Sequence, residues 1–174
     1  GVLTTGAFAA GDYAEAAQSG RALSEALDAA GMTEEASATE RTWRLAAMLA
    51  PHGRPGRAGA VYAGTTAARR DRVGLTRIDV SVNGQAQEAV FDTGANLSVL
   101  SASVAQRLGV RIEEGETAIG NGVQTTVQTR IGIAPRVEIA GNVLTNVAFL
   151  ILDDADYFPQ AATNTLEFEL SGPK

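Results

Sequence analysis

Ala89-Val90-Phe91-Asp92-Thr93-Gly94-Ala95-Asn96-Leu97-Ser98-Val99-Leu100 is the stretch on which the fold turns. An apolar run delivers an acid, a glycine follows two residues later, and a second apolar run leads away. Gly94 lets the backbone turn sharply and lets another backbone come close. Apolar residues on both sides predict a buried loop, and a buried carboxylate is costly unless it is paired or hydrogen-bonded. One way to satisfy Asp92 is local, an Asx-turn onto nearby amides. The Asp-Thr-Gly triplet arises by chance in roughly 4% of chains of this length. Its flanks therefore have to decide.

Upstream, Ile78, Val80 and Val82 alternate with Arg77, Asp79 and Ser81, and Asn83-Gly84 then marks a hairpin turn before a returning strand through Glu88 to Phe91. Downstream, Ser98-Val99-Leu100 reads as a strand, and Ser101 as the cap of a short helix through Val104, Ala105 and Leu108 that Gly109 ends. Further strands are expected near 110–113, 116–119 and 123–133. A second hairpin joins 136–140 to 143–152 across Gly141-Asn142, and Leu166, Phe168 and Leu170 alternate with Glu167 and Glu169. Residues 73–174 thus read as an all-β domain with one short helix.

With these elements in order, residues 73–152 resemble a retropepsin-like aspartic protease, in particular the single-lobed bacterial members. The resemblance implies a mainly β, closed, barrel-like lobe whose Asp-Thr-Gly loop faces its copy in a second subunit. It implies that Asp92 is catalytic, that Thr93 braces the paired loops, and that Gly94, with Ala95 beside it, allows their close approach. Gly120-Asn121-Gly122, 26 residues beyond Gly94, reads by itself as an ordinary hairpin turn and by resemblance as the flap that closes over substrate. The implied substrate is a peptide or protein, the implied working form a homodimer, and no cofactor is called for. Bacterial members are often exported, which points to the periplasm. One feature of the family is missing, because no apolar-apolar-Gly motif follows Tyr157. The jump from Asp153-Asp154-Ala155-Asp156 to the final strand reads as a gap in the chain near 158–163.

Composition shifts toward the N-terminus. Residues 1–50 hold 15 Ala but only 6 Val, Ile or Thr, whereas residues 72–174 hold 12 Ala and 28 Val, Ile or Thr. Residues 1–50 are therefore expected to be helical. Asp12 is placed to cap a helix through Ala30, Gly31 to stop it, Thr33 to start another, and a third helix carries Trp43 to Leu49 until Pro51. The run Phe8 to Ala16 resembles the inter-helix turn of a tetratricopeptide-type repeat. A packed α-hairpin accounts for the same pattern. Residues 51–72 read as a basic linker, with Pro51, Pro55, four glycines and five arginines against the single acid Asp71.

Across all 174 residues, 45% are hydrophobic and 20% charged, which excludes a wholly disordered chain. A net charge of −6 argues against nucleic acid as a partner, and no apolar run is long enough to span a membrane. Without cysteine there is no thiolate nucleophile and no disulfide. The one histidine, His52, lies in the linker and is expected to be solvated, so Ser98 and Ser101 lack a base within the domain. Asp153, Asp154 and Asp156 lack the glycine and late glutamate of a calcium loop and read as an acidic turn, so no metal is expected. The chain starts at Gly1, as a fragment or a processed form would. Beside the protease reading stands a catalytically silent or latent binding module with a helical protein-interaction segment.

Overall fold

The computed structural model describes residues 2–60, 63–93, 97–113, 117–120, 126–157 and 166–168. Its contacts divide into two compact units. One comprises residues 1–54 with 115–128, and the other 55–114 with 129–174. The supposed gap near 158–163 falls outside the described residues.

In the first unit, α1 (Val2–Ala9), α2 (Tyr13–Ala29) and α3 (Thr33–Leu49) follow one another through tight turns. Gly11 takes φ 71°, the Asp12 carboxylate accepts the Glu15 amide at 3.3 Å, and Arg54 pairs with that carboxylate. Tyr13, Ala16, Gly20 and Ser24 are the buried residues of α2, a helical spacing that turns one face toward α3. A Cβ on Gly20 would lie 2.7 Å from the Trp43 Cβ, so glycine is what permits the approach. Ser24 Oγ donates to the Ala36 carbonyl at 3.0 Å, and Leu45, Ala46 and Leu49 complete the buried face of α3. Where the sequence reads two helix starts, α3 runs unbroken. No glycine or proline interrupts it, and the Glu40–Arg44 pair at 2.6 Å spans the supposed junction.

Among the described residues, ten strands make up the sheet. Their ranges are β1 (Gly56–Ala58), β2 (Ala68–Arg70), β3 (Thr76–Val82), β4 (Gln85–Phe91), β5 (Ser98–Ser101), β6 (Arg111–Ile112), β7 (Thr117–Gly120), β8 (Thr126–Ile139), β9 (Asn142–Leu152) and β10 (Leu166–Phe168). The helices α4 (Ala102–Arg107) and α5 (Asp154–Tyr157) follow β5 and β9. The architecture is mainly β, with the helical segment ahead of it. The sheet is not fully closed into a barrel. Its path runs β1-β9-β5-β10-β4-β3-β8-β6, β8 also pairs with β9, and among the described residues β1, β2, β6 and β7 each pair on one side only and leave edges open. The connector between helices and lobe is not bare, since β1 pairs with β9 and β2 with β3.

The hairpin β3–β4 turns at Asn83 (φ 52°) and Gly84 (φ 82°), the two positive values that a two-residue turn needs. The β8–β9 hairpin turns one residue earlier than its glycine suggests, at Ala140 (φ 50°) and Gly141 (φ 78°), with Ile139 opposite Asn142. Pro135 sits within β8 because the ladder skips it. Pairing passes from Ala134↔Val147 to Arg136↔Thr145, and the intervening Asn146 turns to φ 57°. Ile78, Val80, Val82, Ala89, Leu100, Val104, Leu108, Val137, Phe149 and Ile151 form one core beneath α4. Each large member contributes roughly 1.5–3 kcal/mol by leaving water.

Candidate active site

The strand β4 is anchored by Ala89 and Val90, at 0% and 3% exposure, and Phe91 packs on the core. Beyond it the chain emerges. Asp92 and Thr93 are both exposed in the single chain, so the expected burial is overturned at these two residues. The apolar flanks spend their side chains on the sheet. Gly94 and Ala95 lie outside the described residues.

The two strands flanking the loop do not pair with each other. The strand β10 lies between them, parallel to β4 (Leu166↔Ala89, Glu167↔Val90, Phe168↔Phe91) and antiparallel to β5 (Glu167↔Val99). The ends of β4 and β5 that flank the loop therefore stand two strand spacings apart, about 9–10 Å, with β10 between them. This geometry holds Asp92 at the rim of the sheet. It also places Leu166-Glu167-Phe168 in the slot behind the loop, with Glu167 at the register position between Val90 and Val99.

Downstream, β5 runs parallel to β9, from Ser98↔Phe149 to Ser101↔Leu152, and both strands end in helices. The Asp154 carboxylate accepts the Ser103 amide at 3.1 Å and its hydroxyl at 3.0 Å. Ser103 stands in the first turn of α4, where a carboxylate also complements the helix dipole. The backbone amide of Ser103 and the hydroxyl of Ser101 hold the Asp154 carboxyl below its ordinary pKa, against a smaller upward push from lost water. At the other end, Asn83 Nδ2 donates to the carbonyls of Leu108 and Gly109, at 3.0 Å each. The helix after β5 is thus fixed from both sides.

Upstream, charged residues brace β2, β3 and β4. Arg77 donates to Asp71 at 2.8 Å, Arg69 lies 3.5 Å from Asp79, and Arg69 also pairs with Glu88. Lost water raises the Asp71 carboxyl, but Arg77 and the amides of Leu75 and Val73 outweigh it and bring the pKa down. The arginines of the connector are therefore not all solvated. The same holds for His52, which is half-buried in the 3-10 turn Ala50–His52. Asp153 pairs with Arg130 at 2.7 Å, so the acidic turn is tied to the sheet. A recess of about 630 Å³ beside α4, lined by Ser103, Gln106, Val110, Ile112 and Arg130 among others, does not include Asp92.

Of the flap residues, Gly120 ends β7, which pairs with β8, while Asn121 and Gly122 lie outside the described residues. Sequence reasoning missed the roles of Asn83 and Asp154. Each acts on a segment far away in the chain, and only the dipeptide Asn83-Gly84 hinted at the first.

The Aspartyl protease family matches residues 78–165. The chain belongs to that family. No curated protein matches it. Among solved structures, this aspartyl protease chain is similar to a retropepsin-like aspartic protease from Rickettsia conorii, at 23% identity over 55% of this chain and 77% of that one, with a TM-score of 0.39. It is also similar to the EIAV protease complexed with the inhibitor HBY-793, at 22% identity over 63% of this chain and 88% of that one, with a TM-score of 0.40. No helix among the described residues of the family member is long and apolar enough to cross a membrane.

Proposed function

We propose that this aspartyl protease family member is an endopeptidase whose working form is a homodimer, with Asp92 from each copy forming the catalytic pair. The observation that carries the reading is the exposure of Asp92 just beyond the end of β4, where β10 separates β4 from β5. A carboxylate so placed is accessible to a second copy. Two carboxylates about 3 Å apart do not both ionise and share one proton. One takes a proton from water as it attacks the peptide carbonyl, while the other gives a proton to the carbonyl oxygen. The chain carries a single Asp-Thr-Gly, so one copy supplies half the pair. Thr93 would brace the paired loops, Gly94 and Ala95 would allow their approach, and Gly120 to Gly122 would cover an extended peptide. Replacing Asp92 with Asn should lower peptide cleavage by about 10³-fold or more while leaving the dimer, measured by sedimentation, in place. Cleavage at the wild-type rate in Asp92→Asn would refute it.

A catalytically silent module is the second reading. It is favoured by the strand behind the loop, where Leu166-Glu167-Phe168 stands in place of an apolar-apolar-Gly motif. It predicts a monomer at high concentration and no cleavage that depends on Asp92.

A further inference from the structure

We propose that Asp71 is a positioning residue that presets the turn between β2 and β3 as a wall beside Asp92, fitted to a peptide with a bulky apolar residue next to an acidic one. The consequence for cleavage rests on the endopeptidase reading, whereas the wall as a peptide-binding surface does not. At this end of the β3–β4 ladder the last paired residues are Arg77 and Val90. Two positions further out on the two strands stand Leu75 and Asp92. The chain therefore turns into β3 at the same end of the sheet at which β4 delivers Asp92, and the strand on the other side of β4 is β10.

The turn is closed on itself through one side chain. Asp71 Oδ1 accepts the amides of Val73 and Leu75, at 3.0 and 2.9 Å, and Oδ2 accepts from Arg77 at 2.8 Å. The Asp71 amide donates to the Leu75 carbonyl at 3.0 Å, the Gly74 amide donates to the Asp71 carbonyl at 3.1 Å, and Gly74 takes φ 88°. What these bonds hold in place is apolar, for Val73 is 79% exposed and Leu75 39%. A lone apolar side chain at the surface needs no account. Two within three residues on a pinned turn form a surface that loses little freedom when a ligand packs on it. Arg70 and Arg72 are exposed at the same turn, Arg70 reaching the Gly74 carbonyl at 3.4 Å and Arg72 making no ion pair among the described residues. An apolar surface edged by an unneutralised guanidinium complements an apolar side chain with a carboxylate beside it. Without the Asp71 carboxylate the two amides lose their acceptor and the turn its preset form. Asp71 thus acts through Val73 and Leu75 rather than on the peptide itself.

The first measurement is peptide binding to the full chain carrying Asp92→Asn, which removes turnover and spares the turn. A Leu-Glu pair is moved stepwise along an alanine-threonine decapeptide, and a Ser-Gln pair along a second, matched series. At one position or more the Leu-Glu peptide should bind about tenfold more tightly than its counterpart. Asp71→Ala and Leu75→Ser, each in the same background, should abolish that preference, and Arg72→Ala should remove the part of it that glutamate supplies. Asp71→Asn keeps an oxygen for the two amides and should restore the preference. Arg77→Leu weakens the lobe but leaves those amide bonds and should keep the preference, which separates placing the turn from stability alone. With Asp92 intact, the loss in Asp71→Ala should fall on KM, with kcat within about twofold of wild type. Equal affinity of the two series at every position, or a preference unchanged in Asp71→Ala, overturns the wall even where cleavage is seen. A preference in binding without cleavage by the wild-type chain leaves the wall standing and counts against the endopeptidase reading.

Discussion

Asn83 Nδ2 donates to the Leu108 carbonyl at 3.0 Å, joining the tip of the β3–β4 hairpin to the last turn of α4 across 25 positions of sequence. The same side chain accepts the Arg136 amide at 3.3 Å, and the Asn83 amide donates to the Arg136 carbonyl at 2.8 Å. One residue therefore ties a hairpin, a helix end and β8 together. Its φ of 52° suits asparagine better than most side chains. Asn83→Ala removes the side-chain bonds and adds strain. It should cost about 1–3 kcal/mol, read as a lower urea midpoint at unchanged slope. Asn83→Gly relieves the strain alone and should recover part of that loss.

Asp154 predicts how acid acts on the lobe. Its pKa is depressed in the folded chain, first by the Ser103 amide and then by the Ser101 hydroxyl. An unfolded aspartate titrates near ~3.9. The stabilisation is therefore complete above that value and is lost as pH falls through the lower, folded one. Asp154→Asn should flatten the stability profile below about pH 4 and change it little at pH 7 beyond the loss of one helix-terminal charge. Urea midpoints taken from pH 2 to 7 check this, and an unchanged acid limb would contradict it.

What could be read ahead of the structure was local. Asn83-Gly84 announces its own turn, Ser101 announces α4, and alternation across Ile78 to Val82 announces β3, because each signal is contained in a few neighbouring residues. The β8–β9 turn was displaced by one residue because Ala140 accepts a positive φ that a pattern assigns to glycine. The barrel was over-read, since whether an edge finds a partner depends on pairings between segments far apart in sequence. Asp92 was expected to be buried because apolar neighbours were read as a lid, whereas they face the sheet. The slot of β10 behind the loop depends on a pairing across more than 70 residues, from Leu166 back to Ala89.

Arg77 is the hinge of the charges on β2, β3 and β4. Its side chain is only 13% exposed, with Asp71 at 2.8 Å and Glu88 at 3.8 Å. Arg77→Leu keeps the apolar stem but strands two carboxylates on the same face. Stability should fall, and the fall should shrink at low pH, where those carboxylates protonate. Arg77→Lys should rescue only in part, because an ammonium cannot offer the paired geometry of a guanidinium.

Gly64 and Gly132 separate two ways in which a missing side chain matters. A Cβ on Gly64 would collide with the Ala140 carbonyl oxygen, a backbone atom at the β8–β9 turn. Neither partner can yield without moving main chain, so Gly64→Ala should lift the exposed connector off that turn. The lobe itself should keep its core, and the measurable effect is faster limited proteolysis between residues 59 and 67 with little change in Tm. Gly132 lies inside β8, where an added Cβ would meet Ile151 Cδ1 and Val110 Cγ1 at 2.8 Å each. Those are side-chain ends in a packed core, so Gly132→Ala overpacks the core and should cost about 1–3 kcal/mol, with no new proteolysis in the connector. Trimming Ile151 to Val in the Gly132→Ala background should return part of that loss, whereas the same trim should do nothing for Gly64→Ala.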